Sequence, residues 1–239
     1  MNTTTRKRID QINGNNTWLK ALAMIAMVFD HAAYGWCLHR DPTTPYYHLL
    51  RMPGRISIPI FSYLIAWNYL HNTTNPARYV KRLWIFAAIC EPLYDIYFGY
   101  PGNAFLPLAA GATIIHMIAT RDRNTVQNDN ITLAIIAATV WGALAIHMPD
   151  IACQTILTTL IYIWLRTKNH AIAIPALIMT AGLNAPWMTN LAMIPVTTGL
   201  IAAAMLPALK LPRIHINKHI AYWFYPLHIL ALFGTFGPA

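Results

Sequence analysis

Residues 18–38, WLKALAMIAMVFDHAAYGWCL, form an apolar run that is long enough to cross a bilayer as one α-helix. About 20 consecutive apolar residues span the hydrocarbon core. Asp30 and His31 stand next to each other well inside this run. Ionisable side chains at that depth are costly, so a chain that keeps them is expected to give them partners or a function. This run therefore constrains both the fold and the position of the chemistry.

The composition extends the same interpretation to the whole chain. Of its 239 residues, 56% are hydrophobic and only 10% are charged, against about 25% charged residues in soluble domains. The apolar runs are too long for barrel strands. The formal net charge of +9 comes from small basic groups between apolar runs, and no aromatic-rich basic domain is present to bind nucleic acid. We therefore predict an all-α, polytopic integral membrane helical bundle.

Nine membrane spans fit the hydropathy and the positions of the basic residues. They cover approximately residues 18–38, 54–71, 83–98, 103–119, 131–147, 151–165, 171–184, 191–209 and 220–236. With the amino terminus in the cytoplasm, the inner segments hold most lysines and arginines, and the outer segments hold only Arg40, Arg51 and Arg55. This distribution is typical of cytoplasmic loops. We expect residues 1–16 to form a cytoplasmic basic tail and residues 17–239 a single transmembrane domain.

No metal site is expected from the sequence. Cys37, Cys90 and Cys153 fall in or at the ends of apolar segments without a CxxC or zinc-binding spacing, so we interpret them as packing residues. The sequence also lacks an HExxH motif, a nucleophile elbow, a Walker loop and a GxGxxG motif.

Lys20 and His31 are predicted to share one face of the first helix. Ten residues separate them, and eleven steps of roughly 100° bring the two side chains back to nearly the same face, about 16 Å apart along the axis. A cation near the inner membrane surface is thereby aligned with an imidazole beyond mid-membrane. The alternative for His31 is a histidine that only bonds two helices together.

Further ionisable residues are expected in the outer half of the membrane. Arg51 and Arg55 open the second span, and Glu91 and Asp95 lie four apart in the third, on one helix face. Such groups pair or line a water-filled cavity. For Arg55, an ion pair that fixes helix register is an equal alternative. Glu91 is a candidate proton acceptor, whereas we expect Asp95 to be solvated.

Polar residues in later spans are further candidates. Tyr225 and His228 lie three apart on one face of the last span, where a structural Tyr–His hydrogen bond is the slightly favoured interpretation. Asn103 and Asn184 lie near the same outer surface, and either one can instead cap a helix.

Five segments in this order resemble the TraX family of membrane-embedded pilin acetylases. They are LKALAMIAMVFDH, GRISIPIFSYLIAWNYLH, NPARYVKRLWIFAAICEPLYD, GNAFLPLAAG and YWFYPLHILAL. The resemblance implies transfer of acetyl from acetyl-CoA to the amino-terminal residue of mature conjugative pilin. It therefore implies a pilin partner and a location in the bacterial inner membrane. The motif positions are Asp30, His31, Gly54, Arg55, Pro59, Arg82, Asn103 and His228.

The chain also resembles, more distantly, the integral-membrane acyltransferase-3 proteins. These place a basic residue, ten intervening residues and a histidine in the first span. Here Lys20 stands where that family usually has arginine. Glu91 departs from the TraX pattern, which more often has an amide at this position.

The resemblance suggests roles for the candidate residues. Lys20 and Arg82 are expected to hold the CoA phosphates, and Asn103, Tyr225 and His228 are also assigned to cofactor binding. His31 is the expected general base, with Asp30, Arg55 and Glu91 completing the catalytic set. Asp30 points about 100° away from His31, so it is expected to pair with Arg55 or to bind the incoming ammonium. Arg55 or Asn103 would stabilise the oxyanion.

The chemical route and three other functions stay open. Direct transfer is favoured over an acyl-His31 intermediate, because no cysteine belongs to the cluster. The same chemistry on a surface-glycan hydroxyl is one alternative function. A proton-coupled transporter would use Asp30, Glu91 and Asp95 as a relay, and a structural role in a secretion assembly is a third. The sequence does not indicate the oligomeric state.

Overall fold

A computed structural model describes residues 3–39, 51–121, 149–172, 176, 209, 211–212 and 214–237. All regular secondary structure in these residues is helical, which confirms the predicted all-α class. The α-helices are α1 (Thr3–His39), α2 (Ser57–His71), α3 (Pro76–Phe98), α4 (Phe105–Arg121), α5 (Pro149–Thr167) and α6 (Lys218–Phe236). Short 3-10 helices cover Met52–Ile56 and His170–Ile172.

The nine predicted spans are tested only in part by these helices. Among the described residues, no helix combines the length and the apolar character that a membrane crossing needs. The predicted span at 131–147, that at 191–209 except Leu209, and most of that at 171–184 with Asn184 lie outside the described residues. The count of nine spans stays a prediction.

Helix α1 is longer than its predicted membrane span. It begins at Thr3 and has 37 residues, so it is about 55 Å long. It continues without a break through the predicted boundary between a tail and the membrane domain. Three long-range bonds hold its first half. The side chains of Gln11, at 3.3 Å, and Asn15 both donate to the carbonyl of Leu209, and the indole of Trp18 donates to that of Pro212 at 2.7 Å.

Three helices expose large apolar side chains along one face. On α1 these are Leu22, Ile25, Phe29 and Trp36, with exposed fractions between 39% and 62%. On α3 and α6 they are Ile85, Ile89, Ile96, Ile220, Trp223, Leu227 and Leu230. Because α1 also buries apolar residues on its other side, it is apolar on both its buried and its exposed faces.

The chain divides into two compact units. The first comprises Met1–Leu64, Pro92–Pro101 and Trp187–Ala239, and the second comprises Ile65–Glu91 and Gly102–Pro186. In the first unit, α1 packs against the 3-10 helix at Met52–Ile56 and against α6.

The second unit is built on the packing of α4 against α5. Gly111 of α4 permits this approach, because a Cβ there would lie 2.8 Å from the Cβ of Thr158. The Trp84 indole donates to the hydroxyl of Thr113 at 3.0 Å. The Tyr69 hydroxyl and the His116 ring are 2.7 Å apart.

Gly54 fixes how closely the 3-10 helix approaches α1. A Cβ at this position would collide with the Cβ of Asp30 and lie 2.9 Å from its Cγ. Both groups belong to rigid helical segments, so neither can move aside cheaply.

We expect Gly54→Ala to lower the free energy of unfolding by about 2 kcal/mol, because the added methyl overpacks a closed contact. Denaturant unfolding of the purified protein measures this change. Gly234→Ala is the matched control, because a Cβ on Gly234 meets nothing within 4 Å and alanine favours a helix interior. Equal stability of the Gly54 variant and the wild type would contradict the close contact.

Candidate functional site

A buried ion pair joins α1 to the start of the 3-10 helix. The Arg51 guanidinium donates from Nε to Oδ1 of Asp30 at 2.9 Å and from Nη2 to Oδ2 at 3.0 Å. The side chains are 7% and 12% exposed, respectively. The Arg51 guanidinium also lies 5.3 Å from the centre of the Tyr34 ring. Bidentate pairs of this kind fix orientation as well as distance.

This pairing differs from the expectation for Asp30. The sequence predicts Arg55 or the incoming ammonium as its partner, whereas Arg51 forms the observed ion pair. The two arginines are four residues apart, and the charge of Arg55 also acts on the same carboxylate. The physical reason is local, because the chain enters α2 through a 3-10 turn at Met52–Ile56. Arg51 at the start of that turn reaches Asp30.

His31 and His228 form a second buried contact, between α1 and α6. Nδ1 of His31 lies 2.8 Å from Nε2 of His228, and the rings stack with centroids 5.0 Å apart. The Phe98 ring meets His31 edge-on at 4.9 Å, and the Tyr225 ring does so at 6.0 Å. The structure thus brings together three predicted site residues, His31, Tyr225 and His228.

The hydrogen bonds of His228 determine where the protons lie. Its Nδ1 is 3.0 Å from the carbonyl oxygen of Phe224. A carbonyl only accepts, so this Nδ1 carries a proton. With both imidazoles neutral, Nε2 of His228 accepts from Nδ1–H of His31. The remaining lone pair of His31 is then on Nε2.

Aromatic residues from α1 and the last turns of α3 surround this centre. The Tyr97 hydroxyl donates to the carbonyl of His31 at 3.0 Å, and the Tyr34 hydroxyl donates to that of Phe98 at 2.7 Å. Tyr34, Tyr97 and Phe98 are not among the site residues predicted from the sequence. A signal was present for Tyr34, which lies one turn after Asp30 on the same helix.

Lys20 lies on α1 in a half-buried position. No salt bridge within the described part of the chain involves its ammonium group. Its predicted contact with phosphate stays a prediction.

Glu91 and Asn103 bind each other in the second unit. The Glu91 carboxylate accepts from the amides of Gly102 at 2.6 Å and Asn103 at 3.2 Å, and from the Asn103 side chain. Nδ2 of Asn103 also donates to the carbonyl of Ala87 at 2.8 Å, and its Oδ1 accepts from the amide of Phe105 at 2.9 Å. Asn103 thereby caps the start of α4. Proton transfer by Glu91 and oxyanion binding by Asn103 stay predictions.

The other predicted residues of α3 are on its surface. Arg82 is exposed in the second unit and Asp95 is exposed in the first. No group of three or more histidine, cysteine or acidic side chains in the described ranges could hold a metal ion.

Residues 15–235 match the family model described as TraX protein. The chain belongs to the TraX family. The match includes α1 from Asn15 onward and nearly all of α6, so it covers the Asp30–Arg51 and His31–His228 contacts.

One curated relative of this TraX-family chain matches over a shorter range. It is a probable fimbrial assembly protein, FimC of serogroup H1, from Dichelobacter nodosus. The two are 32% identical over 77 residues, which are 32% of this chain and 30% of the relative. The matched region is thus under a third of each protein's length. No solved structure matches the chain.

The Asp30–Arg51 pair makes a thermodynamic prediction. Asp30→Asn and Arg51→Gln each leave a buried group without its partner, so each should lower the free energy of unfolding by about 3 kcal/mol. The double variant should lose much less than the sum, because no charge is then left unpaired. Denaturant unfolding of the four proteins measures this coupling. Arg78→Gln, an exposed position on α3, is the control, and additive losses would contradict a coupled pair.

Proposed function

We propose that this chain is a membrane-embedded acetyltransferase that moves acetyl from acetyl-CoA to the amino-terminal amine of conjugative pilin. Membership of the TraX family supports the pilin substrate. The partial likeness to a fimbrial assembly protein agrees with a role in pilus biogenesis. The single observation that carries the chemistry is the hydrogen-bond chain through His31, His228 and Phe224.

The exposed apolar faces support a location in the bacterial inner membrane. Large apolar side chains recur along α1 at Leu22, Ile25, Phe29 and Trp36. This spacing of three, four and seven residues puts them on one helix face. Exposure of such an apolar face to water is unfavourable, whereas contact with lipid chains is favourable.

His31 is proposed as the general base. Its Nε2 lone pair is available for a proton because Nδ1–H is donated to His228. The same hydrogen bond holds the His31 ring in one orientation, so the direction of the Nε2 lone pair is fixed as well. His228 is therefore a positioning residue in this proposal, held in turn by the carbonyl of Phe224.

The reaction proceeds by direct transfer. Nε2 of His31 removes one proton from the pilin ammonium, and the neutral amine attacks the thioester carbonyl carbon. The C–N bond forms, the C–S bond breaks, and a second amine proton passes to the leaving thiolate. The imidazolium then releases its proton to solvent. Arg55, whose charge acts in the same cluster as Asp30, would stabilise the oxyanion.

The co-substrate is proposed to lie along α1. Its phosphates would bind Lys20, about 16 Å from His31 along the helix axis. The acyl-bearing arm would extend from Lys20 toward His31. Asp30 is held by Arg51, so in this proposal the ion pair orients α1 and takes no part in proton transfer.

The first test concerns the two histidines. We expect His31→Ala to lower kcat by about 10³-fold, because a general base is lost. His228→Leu should lower kcat by about 10- to 100-fold with the KM for acetyl-CoA unchanged, since only the orientation of His31 is lost. Intact-mass measurement of pilin incubated with acetyl-CoA and the reconstituted protein gives both rates.

His219→Ala is the control for these variants, because His219 is an exposed histidine at the start of α6. Full acetylation by His31→Ala would rule out its role as the base. Acetyl label from acetyl-CoA that appears in surface glycan and not in pilin would instead assign the acceptor as a sugar hydroxyl.

The second test concerns Lys20. We expect Lys20→Glu to weaken acetyl-CoA binding by at least about tenfold, because a carboxylate replaces a phosphate-binding cation. Pilin capture should stay the same. Equilibrium binding of each substrate to the reconstituted protein measures both. Lys7→Glu, an exposed position on the same helix, is the matched control, and equal losses for both substrates would contradict the phosphate role.

A further inference from the structure

The ends of α2, α4 and α5 and the start of α3 lie together in the second unit. The Tyr69 hydroxyl, two residues before the end of α2, is 2.7 Å from the ring of His116, five residues before the end of α4. The Tyr69 and Tyr162 rings are 5.8 Å apart, and Tyr162 is five residues before the end of α5. The charge of Lys168 acts on His71, the last residue of α2. Since α3 begins five residues after this histidine, its first turn belongs to the same end.

This end of the second unit, the cationic end, holds every described lysine and arginine of the unit. These residues are all exposed, and they are Arg78, Lys81, Arg82, Arg121, Arg166 and Lys168. The described acidic residues of the unit belong to the other end, because Glu91 accepts a bond from the turn before α4 and Asp150 is the second residue of α5. No salt bridge in the described ranges involves Arg78 or Lys81. Cations gathered in this way attract a negatively charged partner.

An apolar stripe continues from these cations along α3. Steps of 100° place Arg78, Lys81, Arg82, Ile85 and Ile89 within about 100° of one another around the helix axis. Ile85 and Ile89 are 44% and 41% exposed. The stripe changes from basic to apolar within one helical turn, and it extends about 16 Å from Arg78 to Ile89. That length is about half of the hydrocarbon thickness of a bilayer.

We propose that the cationic end of the second unit binds an anionic phospholipid. The phosphodiester would lie against Arg78 and Lys81, and one acyl chain would follow Ile85 and Ile89. A phospholipid carries its charge beside its chains, so one molecule can contact both parts of the stripe. A soluble phosphate would leave the two isoleucines in contact with water, which is unfavourable. This inference rests on the proposed membrane location and does not depend on acetyl transfer.

The test measures lipid binding to the full-length protein in micelles of an uncharged detergent. The probes are phosphatidylglycerol, phosphatidylcholine with the same acyl chains, and glycerophosphoglycerol, which is the first lipid without its chains. Native mass spectrometry of the titrated protein gives the dissociation constants. We expect phosphatidylglycerol to bind at least about tenfold more tightly than either of the other probes.

Removal of the cations tests the phosphate contact. We expect Lys81→Gln to weaken phosphatidylglycerol binding by about fivefold, and the double variant Arg78→Gln, Lys81→Gln by about 25-fold, because each cation near the lipid charge adds a similar attraction. Phosphatidylcholine binding should be unchanged. Lys7→Gln is the matched control, since Lys7 is an exposed cation on α1 in the first unit, and its phosphatidylglycerol binding should equal that of the wild type.

A substitution in the apolar part of the stripe tests the chain contact. Ile89→Ser should weaken phosphatidylglycerol binding by about 3- to 10-fold, because apolar surface in contact with the chain is lost. Glycerophosphoglycerol binding should be unchanged. The melting temperatures of these variants should stay within about 3 °C of the wild-type value, since the substituted side chains are exposed.

Each outcome decides the proposal. Equal affinity of the wild type for both lipids overturns it, and so does an equal loss in Lys7→Gln and Lys81→Gln. Equal affinity for phosphatidylglycerol and glycerophosphoglycerol would assign the cations to a soluble phosphate and overturn the lipid assignment. The double variant should acetylate pilin at the wild-type rate. A wild type that binds phosphatidylglycerol selectively but transfers no acetyl would refute only the acetyltransferase function.

Discussion

The bidentate ion pair between Asp30 and Arg51 is the contact on which the first unit depends. Both groups are buried, so removing either side chain would leave the other as an unpaired charge in apolar surroundings. The pair also requires Gly54, whose missing Cβ lets the 3-10 helix reach α1. Together these contacts fix the rotation of α1 about its own axis. Once Asp30 faces Arg51, His31 must point about 100° away, where it meets His228 of α6.

The sequence is enough to predict the all-α fold class. It is also enough to predict that Asp30 and His31 point in different directions from α1. Helical geometry alone predicts that adjacent residues face different neighbours, and Asp30 and His31 do so. The predicted partner of Asp30 was Arg55 or the incoming ammonium, whereas the observed ion pair is with Arg51, four residues earlier in the chain. A regular helix advances by 100° per residue and a 3-10 helix by 120°. The 3-10 turn therefore sets which arginine forms the ion pair with Asp30. The Pro53-Gly54 dipeptide marks a turn in the sequence, but it does not indicate the 3-10 geometry.

Long-range contacts explain the rest of what the sequence left open. Tyr225 and His228 were paired with each other because they share a helix face, but His228 bonds to a ring 197 positions away. Only tertiary packing of α1 against α6 determines that contact. For Glu91 and Asn103 the difference runs the other way, because the sequence predicts chemical roles for both and the structure shows a local structural contact. In the structure their mutual bonds close the turn before α4, a capping role that the sequence analysis had considered for Asn103 alone.

A single rigid helix carries both polar ends of the proposed co-substrate site. His31 has one ring nitrogen committed to His228, whereas the Lys20 ammonium, about 16 Å away along the axis, forms no salt bridge within the described residues. Buried apolar residues lie between them. Because α1 is continuous, the distance between these ends cannot adapt to a short ligand. A molecule that contacts both ends must therefore be elongated, must accept apolar neighbours along its middle, and must be negatively charged at the end that meets Lys20. Acetyl-CoA, the proposed co-substrate, has these properties, because an extended arm separates its phosphates from its thioester.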